Sequence, residues 1–139
     1  MLSPTFEEYL ALSVDGKAVA VYQDIRADIE TPVSAYWKLA YDQTYSFLLE
    51  SVTGGEQLAR YSILGVTPKK VIRCKNGKGR IVSRGIEQPF SLPEGKDPLD
   101  VLKEELSTIT PIPLPGLKHF MGGAVGMMAY DIEIGRAHV

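Results

Sequence analysis

Apolar positions switch between helical and strand periods several times along the chain. Phe6, Tyr9 and Leu10 recur at helical spacing over Thr5 to Leu12, with Glu7 and Glu8 near the favourable end of the helix dipole. The Asp15-Gly16 turn leads to Ala18 to Tyr22, whose β-branched and aromatic content predicts a strand. Thr31 and Pro32 signal the start of a second helix, and Val33, Tyr36, Trp37 and Ala40 share one face expected to pack on a sheet. Tyr45 to Val52 alternates as a strand, with Tyr45, Phe47, Leu49 and Ser51 on one side and Ser46, Leu48, Glu50 and Val52 on the other. Gly54-Gly55 permits a tight turn, so Tyr61 to Leu64 is expected to return antiparallel.

Gly65 and Pro68 interrupt this pattern before a predicted hairpin, Lys70 to Cys74 and Arg80 to Ser83, turning around Asn76 to Gly79. Its second limb is polar and is expected at a sheet edge. Pro89, Pro93 and Gly95 mark a loop, and Asp97-Pro98 opens a helix with Leu99, Leu102 and Leu106 on its buried stripe. Three prolines make Thr110 to Gly116 an extended connector. His119 to Tyr130 reads as a long apolar strand whose Gly122, Gly123 and Gly126 imply close approach of another backbone. The interleaving of helices and strands predicts an α+β fold, without internal repeats.

Composition narrows the function classes. With 139 residues and 45% hydrophobic content the chain can form a core, alone or within something larger. A formal charge of -2 gives no basic footprint for nucleic acid. No apolar run approaches the roughly 20 residues of a membrane span, and Glu7 and Glu8 do not suit a signal peptide, so a soluble, cytoplasmic protein is expected. The single cysteine, Cys74, lies in the alternating run Val71 to Cys74 and is read as a structural strand residue.

Few residues invite a chemical role on their own. Gly122 to Gly126 lacks the lysine and helix start of a phosphate loop, His119 has no second ligand at metal spacing, and Asp97 and Asp100 are explained as a cap and a first-turn acid. Nothing assembles a nucleophile, a base and an orienting group. On chemistry alone the chain is a binding or structural domain.

Three segments carry more. Phe47-Leu48-Leu49-Glu50-Ser51, followed by Arg60-Tyr61-Ser62-Ile63-Leu64-Gly65, resembles the LLES motif and the RYS-x-x-G segment of the anthranilate synthase component I family. Asp28 to Tyr36 resembles the D-x-x-TPVSA-[FY] segment of that family, and Phe120 to Asp131 its F-x-GG-x-VGY-x-x-YD segment, with Met127 replacing the usual aromatic. The resemblance implies the N-terminal portion of an enzyme that converts chorismate and ammonia to anthranilate and pyruvate with Mg²⁺. A glutamine amidotransferase subunit, component II, would supply the ammonia. Members of that family run well beyond this length, and their chorismate site and metal ligands lie in the C-terminal half, so this piece is expected to supply scaffold and effector site without turnover of its own. Component I of aminodeoxychorismate synthase shares the fold and is the nearest alternative; a free-standing amino-acid-binding regulatory module is the alternative from another class.

The family's serine and its neighbours help to bind tryptophan, the feedback inhibitor, which makes Ser51, Glu50 and Arg60 the candidate effector residues. An amino acid offers an ammonium and a carboxylate, and these three side chains supply an acceptor, a donor and a cation. Plainer readings exist: Ser51 as a strand-end hydroxyl, and Arg60 as a partner of Glu56 in a surface pair of roughly 0 to 1 kcal/mol. Alternation also directs Glu50 away from Ser51 unless the strand is bulged. Finally, Ile134 to Val139 are the six residues encoded by ATC GGA AGA GCA CAC GTC, which resembles a sequencing adapter. The family-like sequence is therefore taken as residues 1–133, and residues 134–139 as a translated library artefact or a cloning scar.

Overall fold

A computed structural model of the chain describes residues 2–14, 17–50, 61–115 and 122–129. Among them lie three helices and seven short strands, the expected α+β mixture. The chain divides into two units, Met1–Ile25 with Cys74–Gly79 and Phe90–Val139, and Arg26–Arg73 with Arg80–Pro89.

In the first unit, helix α1 (Phe6–Leu12) starts where the sequence predicts, because Thr5 and Glu8 form a capping box. The Glu8 carboxylate accepts from the Thr5 backbone N–H at 2.8 Å, which holds its pKa below the ordinary carboxylate value. Strand β1 (Lys17–Ala18) is shorter than expected: it has two residues, and Tyr22 forms only an isolated bridge with Ser3. The partner of β1 is β7 (Thr110–Pro111), paired in parallel, and Ile112 N–H extends the contact to the Ala18 carbonyl at 3.0 Å. The proline-rich connector is thus partly a strand. It can be one because it needs to donate only where proline is absent. Helix α3 (Pro98–Ser107) is capped by Asp97, which accepts from the backbone N–H groups of Leu99 and Asp100. Leu99 and Leu102 are half-buried as predicted, whereas Leu106 is 41% exposed.

The predicted long strand at His119 to Tyr130 is not found over its described part. Residues 122–129 have no regular secondary structure and all are exposed, Met127 to 98%. Strand structure needs a partner for its backbone groups, and three glycines leave few side chains to pack.

In the second unit, helix α2 (Pro32–Ala40) rests on the antiparallel pair β2 (Ser46–Glu50) and β3 (Ser62–Val66). Tyr36 and Ala40 face the strands, but Val33 and Trp37 are 59% and 65% exposed. Trp37 instead meets Tyr41 edge to face, with ring centroids 5.5 Å apart. The buried stripe is centred about one position away from the one predicted. The β2–β3 register runs without a bulge from Ser46 opposite Val66 to Glu50 opposite Ser62. Gly65 lies inside β3, where the sequence suggests an interruption. Phe47 stands directly across from it, and a Cβ on Gly65 would come within 2.4 Å of the Phe47 ring.

Three further strands form one sheet in the order β4 (Lys70–Lys75), β5 (Lys78–Ser83), β6 (Ile86–Ser91). The sequence predicts the first turn, Asn76-Gly77, but not the second, Arg84-Gly85. Both place two residues at positive φ, 51° and 73° in the first and 50° and 77° in the second, the type I′ geometry that suits strand twist. The polar limb β5 is consequently the central strand, and β4 and β6 are the edges. Pro89 sits inside the edge strand β6, where its missing N–H costs no ladder bond if turned outward. Cys74 is half-buried in β4, as a strand residue.

Leu114 is the one buried hydrophobic residue among the described residues, while Ile29, Trp37 and Tyr41 are 93%, 65% and 76% exposed. Elements are therefore held by caps, ladders and a few close contacts. The Phe47–Gly65 contact makes the sharpest prediction. Gly65→Ala should lower stability by about 1 to 3 kcal/mol through overpacking, as read from a urea melt. Adding Phe47→Ala should cost less than the sum of the two single changes; strict additivity would show that ring and glycine do not meet.

Candidate functional site

The far end of the β2–β3 ladder carries the described part of the predicted effector site. Antiparallel pairing puts directly opposed residues on one face, so Ser46, Leu48 and Glu50 share a side with Val66, Leu64 and Ser62. Ser46 lies on that side and its Oγ is 2.8 Å from the Tyr36 hydroxyl of α2. Glu50 ends the row. Its carboxylate accepts a long hydrogen bond, 3.5 Å, from the Ser62 hydroxyl, and its side chain is exposed. Leu49, on the opposite face, is 48% exposed.

Two of the three predicted residues, Ser51 and Arg60, lie outside the described residues, so the structure brings only Glu50 to a defined place. The unbulged register through Glu50 agrees with alternation. Ser62, by contrast, escapes the sequence reading although it belongs to the quoted RYS segment. Its signal is the hairpin register: once Phe47 is set across from Gly65, counting three residues along each strand brings Glu50 to Ser62.

The helix that flanks this ladder is fixed at its N-terminus. Ser34 N–H bonds the Thr31 hydroxyl at 3.1 Å, and Thr31 N–H bonds the Ser34 hydroxyl at 2.9 Å. Ser34 Oγ also donates to Glu30 at 2.7 Å, and the other Glu30 oxygen pairs with Lys38. Glu30, Thr31 and Ser34 belong to the D-x-x-TPVSA-[FY] segment, and their hydrogen bonds are what that segment does here: they start α2 and hold Tyr36 over Ser46.

Among the described residues no group of three or more His, Cys, Asp or Glu side chains can hold a metal ion. The Mg²⁺ implied by the resemblance therefore finds no fitting ligands in them. No described helix is long and apolar enough to cross a membrane.

Comparison with known proteins extends the motif resemblance over nearly the whole chain. It is 39% identical over 133 residues to "Anthranilate synthase component 1" of Synechocystis sp., covering 95% of this chain and 25% of that protein. It is 40% identical over 127 residues to the protein of the same name from Pseudomonas aeruginosa, covering 90% of this chain and 25% of the other. A "Probable anthranilate synthase component 1" of Schizosaccharomyces pombe is 38% identical over 130 residues, covering 92% and 23%. The chain spans about a quarter of the length of the curated relatives it matches. No family model and no solved structure matches it.

Glu30 offers a pH test of the helix start. Its hydrogen bond from Lys38, then that from Ser34, lowers its pKa. A depressed carboxylate contributes stability above its unfolded pKa and loses it as pH falls through the lower, folded value. In a carbon-detected NMR titration Glu30 should titrate below an ordinary glutamate, and Lys38→Met should move it upward. An unmoved midpoint would show that the pair does not persist in solution.

Proposed function

We propose that this chain, a relative of anthranilate synthase component 1 over nearly its whole length, supplies the scaffold and tryptophan-sensing part of such an enzyme. In the complete protein the reaction would be chorismate and ammonia to anthranilate and pyruvate, with ammonia delivered from glutamine by an amidotransferase subunit. The relatives described above carry the anthranilate synthase name, which favours this reading over aminodeoxychorismate synthase. Chemistry would reside elsewhere in the longer protein, and the metal ligands with it.

The observation that carries the effector role is the end of the β2–β3 ladder. There an exposed carboxylate, Glu50, lies opposite a hydroxyl, Ser62, on one face, and Leu49 is exposed on the other. Ser51 and Arg60 are the next residues in sequence beyond Glu50 and before Tyr61. A bound amino acid needs a carboxylate for its ammonium, and donors and a cation for its carboxylate. It also needs apolar surface for an indole ring. In this reading Ser51 and Arg60 receive the carboxylate, and Glu50, oriented by Ser62, receives the ammonium on the condition that the chain departs from strict alternation directly after Glu50, which would otherwise turn Ser51 to the other face.

Ser51→Ala in the complete enzyme tests the assignment, because it removes one oxygen and leaves strand packing nearly unchanged. If the hydroxyl meets a charged group of tryptophan, its loss should forfeit about 1.5 to 3 kcal/mol. Inhibition by tryptophan should then weaken by about tenfold to over a hundredfold, while turnover without tryptophan stays within a few-fold of the parent. Unchanged inhibition would leave Ser51 an ordinary strand-end serine. Lost turnover would move it into the fold or the active site.

A further inference from the structure

The second unit holds a cationic cavity that the effector reading does not use. The sequence from Tyr61 to Ile86 contains no Asp or Glu, although it carries Lys69, Lys70, Arg73, Lys75, Lys78, Arg80 and Arg84 in a chain whose formal charge is -2. Such one-sided charge gives a local positive potential. Part of it converges on an open cavity of about 330 Å³. Lys69 and Arg84 line it, with the hydroxyl-bearing Thr44 and Thr67, over the apolar side chains of Val71 and Val82.

Four observations distinguish this cavity from an ordinary basic surface. Lys69 and Arg84 take part in none of the ion pairs formed among the described residues, whereas Arg80 is paired with Glu87 at 2.8 Å. The one carboxylate of the lining, Asp42, already accepts from the amide of Gln43 at 2.8 Å. Thr67, a β-branched residue, is held at a φ of 49°. Asparagine and glycine adopt that conformation readily and β-branched residues do not, so a threonine there is a local strain that asks for a use of its side chain. Tyr45, also in the lining, is fixed from behind by Arg73, which donates to its hydroxyl and lies 5.4 Å from the ring centroid.

We propose that this cavity binds a small oxyanion carrying two negative charges, of the phosphate monoester or dicarboxylate class. Lys69 and Arg84 supply the compensating charge, and Thr44 and Thr67 supply directional donors; the outcome is a net attraction because two cations face a single, already bonded carboxylate. This reading is independent of the tryptophan proposal, since it shares no residue with it.

The test is a titration of the 139-residue chain with inorganic phosphate and, separately, succinate, at ionic strength held constant with chloride. Amide NMR signals of Thr44, Thr67 and Arg84 should shift saturably with at least one of the two, and which one responds identifies the class. Lys69→Gln combined with Arg84→Asn should weaken binding at least tenfold; asparagine suits the positive φ of the turn, so this variant should keep the fold. Thr67→Gly should bind more weakly while melting no lower than the parent, because glycine relieves the strain. Shifts that are absent, or equal to those from added chloride, would overturn the site, as would unchanged affinity in the double variant. Unchanged binding with a lower melting temperature in Thr67→Gly would overturn the role given to Thr67.

Discussion

The pairing of Phe47 with Gly65 sets the geometry on which the candidate effector site depends. Antiparallel strands can slip by one residue and send every side chain to the other face. Here an aromatic ring occupies the space above a glycine, and any other residue at 65 would collide with it. A slipped pairing would move the ring onto Leu64 or Val66, which have side chains of their own. The contact thereby fixes Ser46 beneath Tyr36 and Glu50 across from Ser62. A helix cap secures the other side of the arrangement, since Glu30, Thr31 and Ser34 set where α2 begins and hence where Tyr36 lies.

These local devices carry unusual weight because burial is so sparse. Apolar burial, at about 25 cal/mol per Å², ordinarily contributes most of the driving force for folding, yet Leu114 is the one buried hydrophobic residue among those described. Large apolar side chains such as Ile29, Val33, Trp37 and Met127 are instead exposed.

Much of this is legible in the sequence, for reasons that differ by element. Helix α1 can be read from the helical spacing of Phe6, Tyr9 and Leu10, and helices α2 and α3 from their caps, because Thr31 and Asp97 satisfy backbone donors that every helix start leaves open. The Asn76-Gly77 turn is equally plain. Arg84-Gly85 is hidden because arginine at positive φ is uncommon, and with it are hidden the third strand and the central place of β5. Residues 122–129 mislead in the opposite direction: apolar content suggests a strand, but a strand is made by its partner, and none is present for these residues among those described. Within the site, Glu50 falls where alternation places it, and Ser62 emerges only with the register. The roles of Ser51 and Arg60 rest on the family resemblance and the chemistry of an amino-acid ligand.

Hydrogen exchange of the complete enzyme, with and without tryptophan, is the decisive measurement for an effector site at the β2–β3 end. Tryptophan should slow exchange of amides from Glu50 to Ser62, while chorismate alone leaves them unprotected. Protection by tryptophan that appears only outside this stretch would place the effector site elsewhere and contradict the assignment of Glu50, Ser51 and Arg60.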